Sequence, residues 1–271
     1  MTHSPQAIRA LLDEHGLEPR RALGQNFVVD PNTVRRIARL AAIAEGDAVV
    51  EIGPGLGSLT LALVETGAEV TAVEKDRDLV PVLRSVVEPL GVRVVEADAL
   101  TMDWDAVLAG HDTWTLVANL PYNVATTLVL DLLADVPAIT AMLVMVQREA
   151  GERLAAGAGD KAVGIPSMIV GYHGTAEVVG RVPATVFHPQ PKVESVLVRI
   201  ERHAEPPVDV PLAAIDPLLR AAYGQRRKML RRSLSGLLDE AAIAAAGVDP
   251  TARPETLDLA AWSRLASQHR R

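Results

Sequence analysis

The stretch VVEIGPGLGSLT, residues 49–60, decides the fold. Its first four residues belong to an apolar run, DAVVEIG (47–53), that reads as a short buried strand stopping at Gly53. Glycines recur at 53, 55 and 57, and LGSLTLALVETG (56–67) then takes up helical spacing and stops at Gly67. Glycines just past a strand let the backbone turn tightly and approach a ligand closely. A ligand-free strand–helix turn looks the same on its own, so the surroundings must decide.

Outward from this turn the chain alternates. Ahead of it, DPNTVRRIARLAAI (30–43) predicts a helix with Asp30 as cap and Pro31 in first position. Beyond it, strands are expected at 68–76, 92–100, 114–121 and 140–147, with helical segments at 76–91, 123–135 and 148–157. Such alternation predicts a parallel sheet with helices on both faces. Residues 167–182 and 193–203 read as two strands with no helix between them, an antiparallel pair closing the sheet edge. RHAEPPVDVPLAAIDP (202–217) is Pro-rich and acidic and reads as a linker; the chain from 218 onward reads as helix. We expect an α/β domain over 1–204, Rossmann-like with a mostly parallel seven-stranded sheet, and a small all-helical domain over 205–271.

Composition narrows the chemistry. The 271 residues are 49% hydrophobic, which suits a globular chain. There is no cysteine, so disulfides, thiolate metal sites and a cysteine nucleophile are excluded. The seven histidines are scattered without an H-x-x-x-H pair, so no metal site is expected. The amino terminus lacks a signal-peptide core, and no apolar run reaches the ~20 residues a bilayer needs. The chain reads as a soluble cytoplasmic protein. Net charge is −7, yet the segment from Pro211 to Arg271 carries ten Lys/Arg against six Asp/Glu. Five of those ten lie in RRKMLRR: Arg226, Arg227, Lys228, Arg231 and Arg232. A local patch of this kind, rather than the total charge, decides whether a phosphate backbone can bind.

Acids then identify the ligand. Glu51 precedes Gly53 and Gly55, Glu74 ends the second strand, and Asp98 ends the third. All three point at the carboxyl-end crevice where open α/β sheets bind ligands. A dinucleotide site would use G-x-G-x-x-G and favour phosphate at a helix start. An acid beside the loop repels phosphate and favours a cation. S-adenosylmethionine carries an ammonium and a sulfonium and no phosphate, with a ribose for Glu74 and an adenine amine for Asp98.

VANLPYN (117–123) then acquires a chemical meaning. An adenine amino group is a poor nucleophile because its lone pair is drawn into the ring. Acceptors aimed at its hydrogens favour a more nucleophilic nitrogen. The Asn119 side chain and a main-chain carbonyl at Leu120 or Pro121 can supply them, while Tyr122 offers a stacking face. A flipped base gains from a second aromatic, and Phe187 stands in a Pro-stiffened loop. A core tyrosine at a strand-end turn, and a core anchor for Phe187, are the plainer readings.

These motifs together resemble the ribosomal RNA adenine dimethyltransferases. The matching pieces are GQNFVVD (24–30), VVEIGPGLGSLT, VTAVEKDRDL, EADAL, VANLPYN, VMVQREAGERLAAG, FHPQPKVESVLVR and QRRKMLRRSL, in the family's order. The resemblance implies that Asn26 and Val28 help enclose S-adenosylmethionine. It also implies that Gly53 serves the methionine part, Glu74 the ribose, Asp98 the adenine, and Asn119 both cofactor and target amine. It implies dimethylation of two adjacent adenosines near the 3′ end of small-subunit rRNA, within the immature 30S subunit. The helical domain would dock the subunit through Arg226–Arg232, and a monomer is expected. The family's Ile and Ser after NLPYN are Val124 and Ala125 here, and KAVGIPSMIV (161–170) lacks the usual Tyr and Arg. Rival readings are a large-subunit dimethylase conferring macrolide resistance and an assembly factor acting mainly by binding.

Overall fold

The computed structural model describes residues 2–20 and 23–269. It divides into two compact units, one of Met1–Gly151 with Glu177–Glu201, the other of Glu152–Ala176 with Arg202–Arg271. The units do not follow a single boundary at 204/205: Glu152–Ala176 comes from mid-chain and clusters with the C-terminal helices.

The first unit begins with α1 (Pro5–Glu14), β1 (Phe27–Val28) and α2 (Pro31–Leu40). The Asp30 carboxylate caps α2, accepting from the Thr33 amide at 2.9 Å, with Pro31 in the first turn. Next come β2 (Ala48–Ile52), α3 (Ser58–Val64), β3 (Glu69–Glu74), α4 (Val80–Val87) and β4 (Arg93–Glu96). The half closes with α5 (Trp104–Leu108), β5 (Trp114–Asn119), α6 (Ala125–Asp135), β6 (Ile139–Gln147) and α7 (Arg148–Leu154). After α8 (Ile165–His173) come β7 (Gly174–Val182), β8 (Phe187–His188) and β9 (Ser195–Arg202).

Seven strands form one sheet in the order β4-β3-β2-β5-β6-β9-β7. The five from β4 to β6 are parallel, and β9 joins β6 antiparallel. Order reverses between β2 and β5, so a crevice opens at the carboxyl ends of these two strands. Val49, Val117, Leu143 and Leu197, all sealed from solvent, carry the core across the sheet. Gly151 on α7 faces Val196 and Val198 so closely that a Cβ there would collide with them, which fixes the start of β9.

Three expectations are corrected. Residues 167–173 are helical, not strand: the Gly164 amide donates to Ser167 Oγ at 3.1 Å, and that hydroxyl donates to the Arg153 carbonyl at 2.6 Å. An apolar run of this length has no decisive period, and the capping bonds settle it. The linker is shorter than 202–217, because α9 (Leu212–Tyr223) starts within it and absorbs Pro217. That proline forgoes only the bond to the Ala213 carbonyl. The second unit is also not helical throughout, since residues 224–229 form tight turns between α9 and α10 (Leu230–Ser233). The Lys228 amide, for instance, donates three residues back to Gln225 at 2.8 Å. With α11 (Glu240–Ala245) and α12 (Leu259–His269), these helices bury Ile215, Leu218, Leu230 and Trp262 together with Met168 of α8.

Candidate active site

A cleft, partly open to solvent, lies at the carboxyl ends of β2, β3 and β5. Asn26, Val28, Glu51, Gly53, Gly55, Glu74, Asp98 and Asn119 all line it. Gly53, Gly55 and Gly57 have φ of 69°, 58° and 86°, the left-handed region that side chains avoid. At Gly55 there is a second reason: a Cβ would stand 2.8 Å from the Phe27 ring. The loop therefore presents bare backbone to the cleft, closed from one side by β1.

β1 pairs antiparallel with β8, Val28 opposite Phe187, in a two-stranded ribbon separate from the main sheet. The Gln25 side-chain amide donates to Asp76 Oδ2 at 2.7 Å, and Arg20 donates to Asp76 Oδ1 at 2.8 Å. The segment before β1 is thereby tied to the loop after β3.

The three acids sit in three different environments. Glu51 is 1% exposed and accepts from the Thr60 hydroxyl at 2.5 Å. Burial pushes its carboxyl up to about 8, against the Thr60 bond and with help from the nearby Glu74. Its proton is therefore held more tightly than that of the ordinary carboxyl read from sequence. Glu74 accepts from the Gly55 amide at 3.0 Å and the Asp76 amide at 2.8 Å, which moderate the upward push of burial. Asp98 is partly exposed, and Lys75 Nζ at 2.6 Å holds its carboxyl below the usual range. It stands two residues past the end of β4.

Asn119 ends β5 and donates Nδ2 to the Asn26 carbonyl at 3.0 Å. The amide's remaining polar atom is Oδ1, an acceptor. Pro121 lines the cleft, whereas Leu120 is buried. Tyr122 is partly exposed and stands beside the cleft, outside its lining residues, with its hydroxyl 2.8 Å from Ser195 Oγ. Phe187 is corrected: it is 4% exposed, lies in the core cluster with Val28 and Leu197, and does not line the cleft. The pairing of β8 with β1 turns its ring inward. Sequence reading missed Phe27, Lys75, Leu100 and Asn123 on the cleft wall. Their positions beside Asn26, Glu74, Asp98 and Tyr122 were the available signal.

The five cations of the basic run 226–232 are not equivalent. Arg226 donates to the Lys161 carbonyl at 2.8 Å and faces Glu255 at 3.9 Å, and Arg231 pairs with Glu240 at 3.5 Å. Arg227, Lys228 and Arg232 are exposed with no acid in ion-pair range among the described residues. Among those residues no His, Asp and Glu cluster suits a metal ion, and no helix is long and apolar enough to cross a membrane.

Sheet order and cleft together define a class, the S-adenosylmethionine-dependent methyltransferases, with their Rossmann-like seven-stranded fold. Within that class the chain belongs to the ribosomal RNA adenine dimethylase family, whose description matches residues 16–269. It is 47% identical to the Ribosomal RNA small subunit methyltransferase A of Nocardia farcinica, over 97% of this chain and 94% of that protein. Identity to the protein of the same name from Cutibacterium acnes is 45%, over 97% and 92% of the two chains. Among solved structures, the 23S rRNA methyltransferase ErmE superposes with a TM-score of 0.70 at 27% identity, covering 91% of this chain and all of ErmE. A dimethyladenosine transferase from Plasmodium falciparum shares the fold, with a TM-score of 0.71 at 23% identity over 87% and 94% of the chains. The chain is an S-adenosylmethionine-dependent rRNA adenine dimethyltransferase.

Proposed function

We propose that this enzyme dimethylates the N6 amines of two adjacent adenosines in the 3′-terminal stem-loop of small-subunit (16S) rRNA. The reaction takes place in the cytoplasm during assembly of the 30S subunit, with the enzyme as a monomer. The observation that carries the substrate is the 47% identity, over nearly the full length, to a protein named for the small subunit, against 27% to the 23S enzyme.

The donor set suits S-adenosylmethionine. Glu51 and Gly53 would face the cationic methionine end, Glu74 the ribose hydroxyls and Asp98 the adenine amine, with Asn26 and Val28 closing the side. Gly55 keeps the loop bare where the cofactor passes. The bound cofactor supplies a methyl on a sulfonium, an excellent leaving group, so the protein needs no strong general base. Asn119 Oδ1 and the Leu120 carbonyl accept the hydrogens of the target amine, since the Pro121 carbonyl already accepts from the Val124 and Ala125 amides, and Tyr122 stacks on the flipped base. What these residues do is position and polarise. Arg227, Lys228 and Arg232 would meet rRNA phosphates, while Arg226 and Arg231 contribute through a charge shared with acids.

Incubation with labelled S-adenosylmethionine and under-methylated small or large subunits tests the reading. Label is expected in small-subunit RNA; label confined to large-subunit RNA would overturn it. Asn119→Ala should cut the rate by about 10²–10³-fold, the range for losing one preorganised polar contact, while subunit binding persists. An Asn119→Ala enzyme of full activity refutes the role given to the amide.

A further inference from the structure

We infer that Ser195 is a positioning residue for the target base, acting solely through Tyr122. This rests on the proposed role of Tyr122 as the face on which the flipped adenine stacks. Ser195 is the first residue of β9 and is wholly buried. It lies opposite Gln147, the last residue of β6, and β6 in turn pairs with β5 through Asn119 and Met145. The serine is thus held at the same end of the sheet as the amide that meets the base, one strand beyond β6. Its hydroxyl meets the Tyr122 hydroxyl at 2.8 Å, across 73 residues of chain.

A tyrosine ring turns about two torsions, and its neighbours in the NLPY segment do not fix both. Leu120 is buried beneath the segment, and Pro121 restrains only the backbone before it. A bond at the far end of the ring fixes the direction of its long axis, and because a phenol donates and accepts near its own plane the same bond favours one setting of the second torsion. Stacking needs a ring plane that is set before the base arrives, because ordering it later costs affinity. The sequence element FHPQPKVESVLVR thereby gains a task other than the base clamp expected of Phe187, whose ring is in the core. The element contributes a serine beneath the stacking tyrosine, not an aromatic above the base.

A double-mutant cycle on the full-length enzyme tests this, with kcat and KM measured for small-subunit substrate and for S-adenosylmethionine. Ser195→Ala and Tyr122→Phe should each lower kcat/KM for RNA about tenfold, the worth of one net hydrogen bond. Because the two hydroxyls act only on each other, the double variant should be no worse than either single one. KM for S-adenosylmethionine and the melting temperature should stay near wild type, and Ser195→Cys, which keeps a weak donor, should recover part of the loss. Wild-type kcat/KM in Ser195→Ala overturns the inference. So does an additive, about hundredfold, loss in the double variant, or a loss that tracks melting temperature and cofactor KM. If wild type itself labels only large-subunit RNA, the substrate proposal fails. The cycle is then run on that RNA, with the same outcomes deciding the role of Ser195.

Discussion

A buried glutamic acid held up to about 8 makes the enzyme lose stability as pH rises from mildly acid toward 8. Glu51 titrates near 4.5 when unfolded, so between there and about 8 the folded chain holds a proton that the unfolded chain releases. Stability therefore falls as pH rises through that window. Glu51→Gln keeps a partner for Thr60 and has nothing to ionise. Its melting temperature should exceed wild type at pH 8 and match it near pH 5, by calorimetry without cofactor; parallel curves for the two proteins would refute the assignment. Single residues were legible where chemistry is local. The three acids and Asn119 stand beside glycines or at strand ends, and all four line the cleft. The protonation of Glu51 was not legible, because it depends on how completely the fold buries the carboxyl, which no local pattern records. Nor was the bond between Tyr122 and Ser195, which only the antiparallel entry of β9 creates.

At the scale of elements, the basic turn after α9 is the place where pattern and structure part most. QRRKMLRRSL has the spacing of a helix, but its first half is turn, and this decides which cations face outward. Arg227→Ala should reduce the slope of log affinity for the subunit against log salt by about 0.7–0.9, the worth of one phosphate contact. Arg231→Ala, which removes a cation already shared with Glu240, should reduce it by less. Equal slopes for both variants in salt-dependent binding would remove the distinction. The β1–β8 ribbon was invisible for a different reason. Each strand is two residues long and its partner lies some 160 positions away, so neither periodicity nor turn chemistry announces it. The long strands β2, β3, β5 and β6 were legible because each is a near-continuous apolar run beside a helix of clear spacing.

For the molecule as a whole, the two units are interleaved in sequence. Val163 and Met168 share a core with Ile215, Trp262 and Leu265, so a chain cut at 204 keeps the apolar side of Glu152–Ala176 and loses its cover. The fragment 1–204 should therefore bind a hydrophobic dye and melt below the intact enzyme; a fragment as stable as the whole, and dye-negative, would show that the mid-chain segment needs no partner. Alternation along the chain could announce a parallel sheet and a helical end. It could not announce that an excursion between β6 and β9 belongs to the end, because apolar spacing records that a face is buried and not against what.

The bond from Asn119 to the Asn26 carbonyl carries a last consequence. Holding one Nδ2 hydrogen on the Asn26 carbonyl fixes the orientation of the amide and so the place where its Oδ1 is presented as an acceptor. Each transfer replaces one hydrogen on the purine nitrogen by a methyl. If the amide holds the target amine as proposed, that grip loosens after the first turnover and is lost after the second, and the finished nucleotide keeps only its stacking face. Under that proposal the pocket would count to two by itself.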